Sequence, residues 1–352
     1  MPPCQSPSPL NASLPRRTVL IGGATLGLAA CNRGMAITVS RTPRLKMKRL
    51  NEAGAALAHK ALPGILGASL MNLESGQLWS LNGERRFPMQ SVFKVALAAA
   101  AFSEVDAGRL ALSEMAAITD LQLSPPWSPI ADTWPSRTTY SMGELLEAAV
   151  VDSDNTAADI LMKRIGGPGV VTAWLQGKNV QEIRVDRYER ELQPAVYGLA
   201  PFRPAWKGEA AFAAARATVP PQTRWQAMAA YMADPRDTAT PRGMAAFLAA
   251  LDAGELISDV SARRLIGLMS RSPRSADRLK AGLPKDAVLA HKPGTSGTDQ
   301  GLTPVFNDVG IFTLADGRRY AATAFLTGAT AGETANAALL ADLGRVVIEA
   351  VD

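Results

Sequence analysis

The chain has 352 residues, 47% of them hydrophobic and 20% charged, enough for one large domain or two intertwined ones with a substantial core. The formal net charge is +5, but the basic residues are scattered and no zinc-ligand spacing accompanies them. That distribution argues against nucleic-acid binding and reads as a solvated surface, drawn at most toward anionic envelope polymers.

Residues 1–30 read as an export signal. Arg16 and Arg17 precede a short apolar run, Val19 to Ala30, which is too short for a helix that spans a bilayer. Leu28-Ala29-Ala30-Cys31 resembles a bacterial lipobox, whose cysteine becomes the lipidated N-terminus. The paired arginines resemble a twin-arginine signal, with Val19 where that motif usually has Phe. The competing reading of Cys31 is a small apolar residue beside the cleavage site. Cys4 and Cys31 are the two cysteines, so a chain cleaved before Cys31 keeps one and forms no internal disulfide. Residues 31–42 are expected to be a tether and 43–352 one domain, monomeric and either periplasmic or attached to the membrane through Cys31.

Pro43 to His59 predicts an amphipathic helix, with Met47, Leu50, Ala53 and Leu57 near helical spacing. Ile65 to Asn72 and Gln77 to Asn82 are strand-like, joined by the turn chemistry of Glu74-Ser75-Gly76. From Ser91 an alanine-rich apolar segment runs to Asp106, and Gly108 suits a helix C-terminus. Residues 140–269 carry mostly helical pattern, with a clear start at Thr240-Pro241, an N-cap followed by proline. Strands return at Ala287 to Lys292, Val305 to Leu314 and Tyr320 to Thr327, with Asp316-Gly317 as a hairpin turn. A last helix runs from Glu333 to Ala350. Strands at both ends and helices between them predict an α/β domain of the α+β type. Its antiparallel sheet is built from the two chain ends and covered by helices, with an all-helical subdomain inserted.

Three short motifs carry candidate chemistry. Ser91-Val92-Phe93-Lys94 at a helix start puts Ser91 and Lys94 on one face. A serine hydroxyl needs a base to become a nucleophile, and the helix dipole disfavours a nearby ammonium. Alone, the pair reads better as an ordinary helix start. Ser153-Asp154-Asn155 opens the next helical stretch, where all three residue types also serve as N-caps. Lys292-Pro293-Gly294-Thr295 ends a predicted strand, its small residues open to a ligand and its lysine suited to a carboxylate; alone it reads as a β-turn.

Taken together and in this order, the three motifs resemble the set shared by class A serine β-lactamases and penicillin-binding proteins. The resemblance to class A covers residues 43 to 352. It implies Ser91 as nucleophile, Lys94 or a Glu189-bound water as its base, Ser153 as proton relay and Asn155 as the residue that orients substrate and Lys94. Lys292, Gly294 and Thr295 become substrate-binding, and the backbone N–H groups of Ser91 and Thr295 form an oxyanion hole. Asp186 to Gln193 looks like the family's omega loop, with Glu189 matching the glutamate that activates the deacylating water. Gln193 stands where the family usually has Asn. Arg187 and Asp237 resemble the ion pair at the loop's neck, against a reading as two unrelated surface charges. Arg278 falls where some members bind the substrate carboxylate, and Trp127 resembles the aromatic residue beside the site; a solvated arginine and a core tryptophan are the competing readings. No metal or other cofactor is implied, and His59 and His291 are the two histidines.

The sequence departs from the family at two places. Pro293 replaces the usual Thr or Ser between Lys and Gly, removing a hydroxyl and an N–H. Residues 194–235 form an omega-loop insertion, rich in aromatic residues and helical around Glu209 to Ala217, expected to make a small lobe beside that loop. The alternatives to a hydrolase of β-lactam antibiotics are a penicillin-binding peptidase or esterase and a sensor that acylates without turnover.

Overall fold

The computed structural model describes residues 44–124 and 126–351. The export signal, Cys31, the tether and Pro43 lie outside the described residues. The strands are β1 (Ile65–Asn72), β2 (Leu78–Leu81), β3 (Phe87–Pro88), β4 (Met115–Ala117), β5 (Thr139–Ser141), β6 (Thr238–Ala239), β7 (Val288–Thr295), β8 (Thr303–Thr313) and β9 (Arg319–Ala329). The helices up to the insert are α1 (Met47–Lys60), α2 (Phe93–Asp106), α3 (Pro129–Thr133), α4 (Met142–Glu147), α5 (Asn155–Arg164), α6 (Pro168–Gly177) and α7 (Glu189–Ala195). Then follow α8 (Glu209–Ala217), α9 (Pro221–Ala233), α10 (Pro241–Asp252), α11 (Asp259–Ser270), α12 (Leu279–Gly282) and α13 (Glu333–Val351).

The main sheet is antiparallel in the order β2-β1-β9-β8-β7, so strands from the two ends of the domain meet at its centre. β1 pairs with β9 along its whole length, from Ile65 opposite Thr327 to Asn72 opposite Tyr320. Period-two alternation gives the sheet two buried faces. In β9, Tyr320, Ala322, Ala324 and Leu326 pack with α1 and α13, whereas Ala321 and Phe325 turn to the helical side. α2 runs through that second core. Its residues Phe93 to Phe102 are all buried, which fits a helix that is apolar on every side.

The sheet and helix expectations hold, with shifted edges. The strand from Ile65 to Asn72 matches β1, and Thr240 caps α10 by accepting from the Gly243 N–H at 2.9 Å. Gly108, at a φ of 69°, donates its N–H to the Val105 carbonyl. The predicted strand ended at Lys292, but β7 continues through Pro293 to Thr295. β7 is an edge strand with a ladder on one side, where proline is tolerated.

The insert is built around an apolar cluster in which Val196, Phe212, Met228 and Tyr231 pack on Leu302 and Val305. Arg224 pairs with Asp299 at 2.7 Å, and Gln300 donates to the Pro221 carbonyl at 2.9 Å. These contacts fasten the insert to the β7–β8 connection.

Candidate active site

The segment that leads into α2 is held by its backbone. β3 pairs with β6, and the Met89 N–H donates to the Asp237 carbonyl, which ties this segment to the end of the omega loop. Gln90 has a φ of 48°, a left-handed conformation that costs energy in a side chain of this size. Its buried amide donates to the Tyr231 hydroxyl at 2.9 Å and accepts from Gln193 Nε2 at 2.7 Å, contacts that hold it there. Ser91 follows in a single 3₁₀ turn and lines a cleft of about 300 Å³ with Ser153, Asn155 and Gln193. A Cβ on Gly294 would come within 2.4 Å of the Met89 carbonyl oxygen. The sequence placed Gly294 against a ligand; here its small size instead lets β7 approach the nucleophile segment.

Lys94 is fully buried one turn below Ser91. Its ammonium donates to the Ser153 carbonyl at 2.7 Å and to Asn155 Oδ1 at 2.5 Å, and lies 3.0 Å from Glu189 Oε1. Ser153 reaches this position because a π-helical turn, Ala148–Asp152, ends in its left-handed φ of 62°. Asp154 does the structural work of the second motif. Its carboxylate caps α5 through the Ala157 N–H and accepts from the Ile130 N–H and the Ser128 hydroxyl. On the other side of Ser153, Lys292 Nζ donates to its hydroxyl at 2.8 Å. Burial, with the Lys94 charge beside it, pushes the Lys292 ammonium well below the ordinary lysine value.

Glu189 begins α7. Its N–H and that of Arg190 donate to the buried carboxylate of Asp159 on α5, at 2.7 and 3.0 Å, which fixes the first turn of the loop helix. Burial, together with the nearby Glu189 charge, pushes the Asp159 carboxyl up to about 7. Glu189 Oε2 accepts from Gln193 Nε2 at 2.7 Å. Oε1 faces the Lys94 ammonium at 3.0 Å, out of line for a hydrogen bond. At the neck, Arg187 Nε meets Asp237 Oδ2 at 2.6 Å, while Asp237 Oδ1 accepts the N–H groups of Asp186 and Arg187.

Thr295 and Arg278 stand together at the positive end of the cleft. Arg278 donates to Thr295 Oγ1 and to the Asn307 carbonyl, both at 2.6 Å, and lies over the Phe306 ring. Trp127 is 40% exposed on the cleft wall, not a core residue, and its indole N–H donates to the Asp152 carbonyl. Arg274 stacks on that ring at 3.8 Å and donates to the same carbonyl. Sequence reasoning missed Gln90, Asp159 and Tyr231, whose links to the site span distant segments. It also missed Arg274 and the insert's Tyr197, Phe212 and Arg216, which line the cleft. The spacing of Glu209, Phe212, Ala213 and Arg216, one helical stripe, could have marked the wall but not what it faces.

A model of the beta-lactamase enzyme family matches residues 48–351. Beta-lactamase VEB-1 of Pseudomonas aeruginosa is 28% identical over 290 residues, covering 82% of this chain and 85% of that protein. The crystal structure of a β-lactamase from Chitinophaga pinensis superposes with a TM-score of 0.71 at 30% identity, covering 87% of this chain and all of that one (100%). An ancestral class A β-lactamase gives 0.70 at 31% identity, over 86% of this chain and 99% of its own. Two buried lysines around one serine are thus set in a chain that belongs to the beta-lactamase enzyme family, in its class A serine branch.

Proposed function

We propose that the protein hydrolyses β-lactam antibiotics through an acyl-enzyme on Ser91 and so confers resistance. Lys94, or Glu189 through a water molecule, takes the Ser91 proton as Oγ attacks the lactam carbonyl. The backbone N–H groups of Ser91 and Thr295 receive the developing oxyanion, with Thr295, Arg278 and Lys292 holding the substrate carboxylate. Asn155 orients the substrate and Trp127 flanks it. As the C–N bond breaks, Ser153 protonates the departing nitrogen and recovers a proton through Lys292. Glu189 then removes a proton from water as it attacks the ester, and Ser91 leaves with its proton restored.

The observation that carries this reading is the placement of Glu189. Its carboxylate lies 3.0 Å from Lys94 and accepts from Gln193, contacts that support a role as deacylating base. Both contacts are made with the insert in place, which favours a hydrolase over a peptidase or sensor that stops at acylation. The test follows turnover of a chromogenic cephalosporin by the purified protein, with intact mass from the same sample. Sustained turnover is expected; a single burst with a persistent adduct would refute hydrolysis. The export reading is tested separately, by the N-terminal mass of the mature protein. Lipid on Cys31 is expected to be lost in Cys31→Ala, with release from the membrane fraction.

A further inference from the structure

The insert supplies one long wall of the cleft. Glu209, Phe212, Ala213 and Arg216 of α8 form a single stripe facing it, and Tyr197 stands beside them with its hydroxyl donating to the Ser296 carbonyl. Three arginines line the cleft, and two are committed elsewhere. Arg278 holds Thr295, and Arg274 is bound to Trp127 and the Asp152 carbonyl. Arg216 differs. Its contacts are with Tyr197, the guanidinium lying 4.9 Å from the ring centroid and reaching the hydroxyl, and no carboxylate among the described residues forms an ion pair with it. It is a half-buried cation facing the cleft without a counter-charge.

What meets it follows from the shape of the substrate and rests on the hydrolytic reading above. In a bicyclic β-lactam the ring carboxylate is attached next to the lactam nitrogen, and the acylamino side chain next to the carbonyl carbon. With the nitrogen at Ser153 and the carboxylate at Arg278, the side chain points away from both, toward Gln193 and the insert. Phe212 and Tyr197 offer it apolar and aromatic surface, and Arg216 a charge. We propose that Arg216 is a specificity-determining residue that binds an anionic group, a carboxylate or sulfonate, on the acyl side chain of the substrate. Glu209, the one carboxylate on the stripe, lies two helical turns away at the exposed rim, beyond direct contact with a group seated at Arg216.

The experiment compares benzylpenicillin with its α-carboxy analogue, which differs by one carboxylate on the side chain, using the full chain. Arg216→Gln is expected to lower kcat/KM for the carboxylated compound on the order of tenfold, mainly through KM. Benzylpenicillin should change less than about twofold, and Arg216→Lys should restore most of the loss. Equal losses for both substrates would assign Arg216 to packing of α8 and overturn the proposal, as would no loss for either. A parent protein that turns over neither penicillin would overturn the subsite, and one that also leaves the chromogenic cephalosporin intact would overturn the hydrolytic reading with it. Turnover of both without an Arg216 effect overturns the subsite alone.

Discussion

Lys292 is a cation held where burial opposes its charge. With its folded value below the unfolded one of about 10.4, the unfolded chain binds the proton more strongly. The stability cost is therefore absent above that pH and grows as pH falls toward the folded value. Lys292→Met should raise Tm at pH 7 by about 2–4 °C while lowering kcat/KM at least about a hundredfold. A lower Tm would show that the hydrogen bond to Ser153 outweighs the burial cost. Glu189 is tested by kinetics. Glu189→Gln should still acylate but release product at least about a hundredfold more slowly, with the acyl-enzyme accumulating on an intact-mass spectrum. Unchanged steady-state turnover would remove Glu189 from deacylation. Asp159 gives the pH signature. Its folded value near 7 lies above the unfolded one of about 3.9, so its contribution to stability is complete below the lower value and is lost as pH rises through the upper. Asp159→Asn should lose stability relative to the parent, and lose more at pH 5 than at pH 8, in paired thermal melts.

Among elements, the omega loop depends most on one residue. Asp237 has a φ of 52° and accepts three donors, two backbone N–H groups and Arg187 Nε. Asp237→Asn keeps the backbone preference but leaves buried donors facing an amide N–H₂. It should cost about 2–4 kcal/mol in denaturant unfolding and slow deacylation more than acylation. An equal slowing of both steps would mean that the loop is not the part disturbed. The elements were legible in the sequence to the extent that their signals were local. Thr240-Pro241 marked a helix start, and Asp316-Gly317 marked a hairpin in which Gly317 takes a φ of 88°. The three motifs named the lysines and serines because each motif stays within a few residues. Asp159 was invisible because it caps a helix 30 positions further on. Gln90 and Tyr231 meet only through the insert's fold, 141 positions apart. Arg216 could be placed on a helix but not aimed, since the face of α8 is set by the β7–β8 connection it packs on.

At the scale of the molecule, the insert shares its cluster with Leu302 and Val305 and is joined to the hairpin through Arg224 and Asp299. It should therefore unfold together with the sheet. Far-ultraviolet circular dichroism and tryptophan fluorescence are expected to give coincident transitions, and an early separate step would mark the insert as an independent unit. The central pairing of β1 with β9 has a further consequence, in time rather than space. At the usual pace of synthesis, about 5–20 residues per second, β1 waits on the order of 10–50 s for its partner to be made. Throughout that interval the other edge of β1 has only solvent, and Leu66 and Leu70, though α1 and β2 are already made, lack the cover that β9 and α13 supply. The nascent chain should then lean on holding factors until its last strands leave the ribosome, and fold as a whole only after translation has ended.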